Sequence, residues 1–167
     1  ALRLMRQVEH PAERFDIDLR TVTCAGEPMG AELLDWGKQA LGVTFNEYYG
    51  QTECNLVVSN CAELMDVKPG SMGRAVPGHD VEIIDENGQI LPPETTGAIA
   101  VRSPDPVMFL QYWNNVQATK DKFNGDWLLT GDLGTKDADG YLWFVGRDDD
   151  VISSAGYRIG PGEIEDC

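Results

Sequence analysis
The sequence predicts a mixed architecture, an α/β segment followed by antiparallel β structure in the form of a sheet or small barrel. Two observations carry this. Between Leu19 and Tyr49 a β-branched run, a helical pattern and a second strand-like run follow one another within roughly 30 residues, the length of a βαβ unit. Beyond Glu63, short strand-like runs alternate with hairpin turn signals. A hydrophobic content of 42% over 167 residues is enough core for one domain or for pieces of two.

Taken in order, Leu2, Met5, Val8 and Phe15 predict a short amphipathic helix interrupted near Pro11. Leu19 to Cys24 is rich in β-branched residues and reads as a strand, ended by the turn Ala25-Gly26-Glu27-Pro28. From Met29 to Leu41 the positions Leu33, Leu34, Ala40 and Leu41 fit a helix closed by Gly42. Val43 to Tyr49 is the second strand, with a right-handed crossover expected. Val81 to Ile84 is a strand running into the turn Asp85-Glu86-Asn87-Gly88, and Gly97 to Arg102 is another. Gln117 to Phe123 predicts a short helix. Asp137-Ala138-Asp139-Gly140 is a hairpin turn leading into the strand Tyr141 to Val145; as a calcium loop its Gly comes too early and the closing Glu is missing. Asp148-Asp149-Asp150 opens a polar, Gly-containing stretch that reads as a domain boundary.

The formal net charge of -15 argues against a nucleic-acid partner, whose phosphates would be repelled. No apolar run approaches the ~18 residues of a membrane span, and no signal peptide is visible. Cys24, Cys54, Cys61 and Cys167 show neither C-x-x-C pairing nor a His at ligand spacing, which argues against a zinc-type site. The chain is too long and apolar for a disulfide scaffold, so reduced cysteines and a cytoplasmic setting are expected. His10 and His79 stand alone and are expected at the surface. There is no G-x-x-x-x-G-K-[ST], no G-x-G-x-x-G and no G-x-S-x-G. The chain opens on Ala1 and closes on Cys167 shortly after Glu163-Ile164-Glu165, so both ends are expected to lie inside a longer protein.

Four segments, in this order, resemble the adenylate-forming (AMP-binding) family that includes acyl-CoA synthetases, firefly luciferase and peptide-synthetase adenylation domains. They are Ala25-Gly26-Glu27-Pro28, Tyr48-Tyr49-Gly50-Gln51-Thr52-Glu53, Leu129-Thr130-Gly131-Asp132, and Gly146 to Ile152 running on through Gly156-Tyr157-Arg158-Ile159. Any one alone is weak; four in order are specific. Gly70 to Ala75 and Gln111-Tyr112-Trp113-Asn114 resemble family connectors, and the likeness runs from about Leu19 onward.

The resemblance implies a division into the C-terminal part of an α/β nucleotide-binding subdomain at residues 1–62, a β-barrel-like subdomain at 63–147, and a hinge with the start of a small C-terminal domain at 148–167. It also implies ATP-dependent activation of a carboxylic acid as acyl-AMP, followed by transfer to coenzyme A. Gly26, Glu27 and Pro28 would lie along the adenine, where a Gly lets backbone approach a flat ligand. Tyr49 would stack on the base, against the alternative of a core aromatic. Gly50 stands where acetate-specific relatives carry Trp, and so implies room for a longer acyl chain. Thr52 would donate to the α-phosphate. Glu53 would hold Mg²⁺, against the alternative of a surface acid at a strand end. Asp132 would accept from the ribose hydroxyls, with Arg147 donating to the same ribose. Arg158 would supply charge near the phosphate. Two Arg and one Mg²⁺ would then answer, locally, the repulsion that an acidic chain exerts on ATP, AMP and CoA.

Asp149 falls at the family's hinge. Gly156, in the Ser153-Ser154-Ala155-Gly156 loop, would face the pantetheine arm of CoA. Gly160 to Glu165 resembles medium-chain and related synthetases more than luciferases; the chain as a whole resembles acyl-CoA synthetases of the acetyl/medium-chain type, which implies fatty acid metabolism. The family's Ser/Thr/Gly-rich phosphate loop and its adenylating lysine do not occur in these 167 residues, so the chain by itself is expected to be inactive. Self-association through sheet edges, or a homo-oligomer, is compatible with this. The competing readings are a peptide-synthetase adenylation domain or aryl-CoA ligase, and a non-catalytic nucleotide-binding or scaffolding module on the same fold.

Overall fold
In the computed structural model the described residues are 2–26, 29–148, 152–154 and 157–159, with residues 2–3 and the last two segments described by backbone alone. The N-terminal helix is split into α1 (Leu2–Met5) and α2 (Pro11–Arg14). Pro11 opens the second piece, where its missing N–H costs nothing. Strand β1 (Val22–Cys24) and helix α3 (Ala31–Leu41) follow, the helix ending at Gly42 in the left-handed region at φ 70°. Strand β2 (Phe45–Gln51) lies parallel to β1, with Val22 opposite Phe45 and Cys24 opposite Glu47. The apolar stripe of α3 explains the packing: Leu34 joins Met29, Val43 and Phe45 in a buried cluster. Burying side chains of this size stabilises by about 1.5–3 kcal/mol each.

A strand that the sequence reading left out comes next. β3 (Asn55–Ser59) folds back antiparallel onto β2, pairing Tyr48 with Ser59 and Gly50 with Leu56 across a bulge after Tyr49. The turn carries no Asn-Gly or Asp-Gly signal; Asn55 supplies the left-handed residue instead, at φ 53°. The two-residue β4 (Arg74–Ala75) completes a sheet of order β1-β2-β3-β4.

The second sheet is antiparallel. It takes β5 (Val81–Ile84), β6 (Gly97–Arg102), β7 (Phe123–Asn124), β8 (Trp127–Lys136) and β9 (Leu142–Arg147), in the order β5-β6-β8-β7 with β9 also on β8. Helix α4 (Val116–Asp121) precedes β7, capped by the Asn115 side-chain Oδ1 accepting from the Ala118 N–H. Among the described residues no ladder closes this sheet on itself, so the antiparallel part is a half-barrel. Both predicted turns use one device. Asp85 Oδ1 accepts from the N–H groups of Asn87 and Gln89, and Asp137 Oδ1 from those of Asp139 and Tyr141. The chain after Asp85 returns through an isolated bridge, Ile84 to Ile90, with the Leu91 N–H donating to the Ile83 carbonyl. The backbone hairpin β10 (Ile152–Ser154) and β11 (Tyr157–Ile159) pairs Ser153 with Arg158.

One core joins the two sheets: Val57 and Val58 of β3 pack with Ile83, Ile99, Leu128 and Leu142 of the antiparallel sheet. One expectation is corrected here. His79 is not a surface residue; its Nδ1 lies 2.7 Å from Asp105 Oδ2, with only 11% of its side chain exposed. The segments 76–80 and 103–107 meet beside β5 and β6, where Arg102 N–H donates to the Asp80 carbonyl, and that meeting shields the ring. His10, as expected, is exposed.

Candidate functional site
The ends of β1 and β2 open on a cavity of about 630 Å³ whose walls include Gly26, Glu47, Tyr49, Gly50, Thr52 and Met72. Gly26 follows directly on β1, and Tyr49 to Thr52 form the end of β2 and its turn. Parallel neighbours deliver both segments to the same place, the carboxyl ends of the strands, where open α/β sheets gather ligands.

Asp132 approaches from the other sheet. It stands on β8 directly across from Arg147 on β9. Its Oδ1 is 3.5 Å from Arg147 Nε, and its Oδ2 accepts the Tyr49 hydroxyl at 2.6 Å. Only 7% of Asp132 is exposed, whereas 53% of the Arg147 side chain is. Burial, then the Asp132 charge, pushes the Tyr49 hydroxyl pKa far up, so Tyr49 is a donor at every working pH. Thr130 is buried beneath: its hydroxyl donates to the Ile99 carbonyl at 2.8 Å and accepts from the Asp132 N–H at 3.2 Å. Within Thr130-Gly131-Asp132 the threonine therefore orients the backbone and the aspartate faces the site.

Glu53 lies on the far side of Thr52. The Tyr112 hydroxyl donates to its carboxylate and holds its pKa below the usual range, helped by the Lys122 and Arg147 charges. The same bond pushes the Tyr112 hydroxyl up to about 12. The backbone carbonyl of Glu53 accepts from the Phe109 N–H at 2.7 Å, which ties the turn to residues 105–109. An ionised, partly exposed carboxylate is a suitable hard ligand for Mg²⁺, which takes one or two carboxylates and fills its shell with water and phosphate. Among the described residues no group of three or more His, Cys, Asp or Glu is gathered as a metal cage.

Of the residues singled out in the sequence, Gly26, Tyr49, Gly50 and Thr52 line the cavity, Asp132 and Arg147 join it through Tyr49, and Glu53 flanks it. Glu27, Pro28, Asp149 and Gly156 lie outside the described residues, and Arg158 is placed by backbone alone. The reason given for Gly50 needs correction. A Cβ at Gly50 would fall 1.6 Å from the Asn55 carbonyl oxygen. The glycine is demanded by the close approach of β3, whose backbone fills the direction a side chain would take, so its lack of a side chain is explained without an acyl chain.

Sequence reasoning missed Glu47, Tyr112 and Lys122. Glu47 was within reach of period-two alternation, because Phe45, Glu47 and Tyr49 share a strand face. It is 5% exposed and accepts the Met29 N–H at 2.9 Å, anchoring the chain at the first described residue after Gly26. Burial pushes its carboxyl above the ordinary range, with the Met29 N–H partly opposing. The folded state thus holds this proton more tightly than the unfolded state, and stability falls as pH rises from the unfolded pKa through the folded one. Glu47→Gln keeps an oxygen for Met29 and abolishes the titration. Its thermal midpoint is expected above that of the unaltered protein at neutral pH, with the difference vanishing in acid; equal midpoints at every pH would contradict this.

Cys24, Cys54 and Cys61 are free, and burial pushes the Cys54 thiol up to about 11, which makes it unreactive. Among the described residues no helix is long and apolar enough to cross a membrane.

Residues 1–113 match the family described as AMP-binding enzyme. An uncharacterized acyl-CoA ligase, YtcI, of Bacillus subtilis (strain 168) is 44% identical over 99% of this chain, which covers 31% of that protein. Acyl-coenzyme A synthetase ACSM4, mitochondrial, of Homo sapiens is 46% identical over 88% of this chain and 26% of its own length. Among solved structures, the anthranilate CoA ligase AuaEII in complex with anthranoyl-AMP superposes with a TM-score of 0.78 at 35% identity, over 88% of this chain and 28% of that one. The chain thus spans less than a third of the length of these relatives. With its family match covering well over half of its residues, the chain belongs to the AMP-binding enzyme family.

Proposed function
We propose that this chain supplies the adenine- and ribose-binding part of an AMP-forming acyl-CoA synthetase. The observation that carries the reading is the Tyr49–Asp132–Arg147 contact, which joins motifs 83 residues apart at the edge of one cavity. In the reaction proposed, a carboxylate oxygen attacks the α-phosphorus of ATP, the bond to pyrophosphate breaks, and acyl-AMP forms. The thiolate of CoA then attacks the acyl carbonyl and AMP leaves. The names of the relatives, acyl-CoA ligases and synthetases, support CoA over a carrier-protein thiol as acceptor.

The residues divide the work by their chemistry. Tyr49, its hydroxyl held by Asp132, offers a fixed ring face to the base. Asp132 has the charge and lone pairs to accept two vicinal ribose hydroxyls, and the exposed Arg147 guanidinium stands beside it to donate. Thr52 is exposed on the cavity wall, where its hydroxyl can meet negative charge growing on the α-phosphate. Mg²⁺, held by Glu53, would neutralise phosphate charge. Arg158, Gly156 and the hinge at Asp149 keep the roles that the family likeness gives them. The division near residues 62 and 147 is part of the same proposal. It is supported by the ladders, β1 to β3 in one sheet and β5 to β9 in the other, with β4 returning to the first. The free cysteines support a thiol-reducing compartment, the cytoplasm in this reading.

The test is acid-dependent exchange of pyrophosphate into ATP, followed by thioester formation over a panel of short, medium-chain and aromatic acids, with the complete gene product. Exchange that requires one of these acids is expected from the complete protein, and none from the 167 residues alone, which contain no phosphate loop. A complete protein that binds ATP but exchanges no pyrophosphate with any acid would leave only the non-catalytic module.

A further inference from the structure
We propose that Lys122 is a positioning residue of the nucleotide site, an inference that rests on the function proposed above. Lys122 follows α4 directly and is half-buried. Its Nζ lies 3.4 Å from Gln51 Oε1, 3.3 Å from the Leu129 carbonyl oxygen and 3.3 Å from the Thr130 carbonyl oxygen. Gln51 Nε2 donates to the same Thr130 carbonyl at 2.9 Å. The ammonium therefore closes a ring of contacts between the ends of two motifs. Gln51 immediately precedes Thr52, and Thr130 stands two residues before Asp132.

The topology gives that ring its importance. β2 and β8 belong to different sheets and share no ladder. No backbone hydrogen bonds of a common sheet set the distance between Thr52 and Asp132. The shared core and the Gly73–Leu142 bridge join the sheets elsewhere, and at the site itself side chains span the gap: the Tyr49–Asp132 bond on one side, and the Lys122–Gln51–Thr130 brace on the other. The brace spans the two groups assigned to the α-phosphate and the ribose, whose relative placement a bound nucleotide must match.

Donor counting favours positioning over direct phosphate contact. An ammonium has three N–H donors, and three oxygens of this chain already lie within their reach. Its charge still acts at a distance, since Lys122 is among the groups that favour ionised Glu53.

The experiment uses the complete protein, with ATP titration calorimetry, steady-state kinetics and thermal melts. Lys122→Met keeps the length of the stem and removes the donors. Its ATP Kd and KM are expected to rise about tenfold while kcat stays within about threefold. Lys122→Arg is expected to recover most of the affinity. Gln51→Met should cost little more in the Lys122→Met background than Lys122→Met alone, because the two residues act as one unit. Lys136→Met, which breaks a pair with Glu82 elsewhere on the half-barrel, should leave ATP binding unchanged. Unaltered ATP affinity in Lys122→Met would overturn the inference. So would a parallel loss of kcat, affinity and thermal midpoint that Lys122→Arg fails to restore, since that marks a role in folding only. If the unaltered protein itself takes up no ATP, the function proposed above falls and this inference falls with it.

Discussion

Replacing Asp132 by alanine is expected to remove nucleotide binding and to weaken the fold in the same step. The carboxylate is nearly buried and accepts the Tyr49 hydroxyl at 2.6 Å. Without it, that hydroxyl is left in a desolvated place with no acceptor, at a cost of about 1–3 kcal/mol. Arg147 adds little to this, because its side chain is more than half exposed. The loss of affinity is larger. Hydrogen bonds to a charged acceptor contribute about 1.5–3 kcal/mol each. Losing the acceptor of two ribose hydroxyls should therefore weaken ATP binding by about 100-fold or more. Asp132→Asn separates the two effects: its amide oxygen still accepts from Tyr49, so the thermal midpoint is largely kept, but the charge is gone and affinity still falls. Calorimetric titration of the complete variants with ATP reads one effect and thermal melts read the other. An Asp132→Ala protein that binds ATP as tightly as the unaltered one would remove the ribose assignment.

What could be read from the sequence was what local chemistry writes there. The βαβ unit showed because β-branched runs and the Leu33, Leu34, Leu41 stripe are contiguous signals, and the turns at Asp85 and Asp137 showed because one aspartate builds each of them. The motif residues showed by spacing. What was not legible depends on partners far away in the chain. β8 is a ten-residue strand with Thr130, Gly131 and Asp132 in its middle, and nothing in that run marks a buried strand. It becomes one because Ile99 and Tyr49, 31 and 83 residues distant, satisfy those polar groups. Tyr112 reads as a connector residue, and its hydroxyl meets Glu53 only across 59 residues; Lys122 carries no signal of its own within the helix predicted over Gln117 to Phe123. His79 failed in the same way, since Asp105 lies 26 residues further on. Side-chain pairs of this kind carry no periodicity, so single-sequence reading has nothing to detect.

Gly50→Ala tests the one place where a motif glycine was given the wrong reason. The added Cβ would lie 1.6 Å from the Asn55 oxygen, 2.6 Å from its carbonyl carbon and 3.0 Å from the Leu56 Cα. All of these are backbone atoms of the paired strand, so no side chain can swing aside. Relief requires β2 and β3 to part at the bulge between Tyr49 and Gly50. Overpacking costs about 1–3 kcal/mol where side chains give way, and a clash against fixed backbone belongs at or above the upper end. For a chain of this size that lowers the thermal midpoint by roughly 6–12 °C. Parting the hairpin also moves Tyr49 and Thr52 together, so ATP affinity should fall by the same factor whichever acid is supplied. A glycine kept only to widen an acyl pocket would behave otherwise: the alanine variant would melt normally, bind ATP normally and favour shorter acids. The acid panel therefore separates the two accounts, and a normal midpoint with a shortened acid preference would restore the pocket reading over the backbone one.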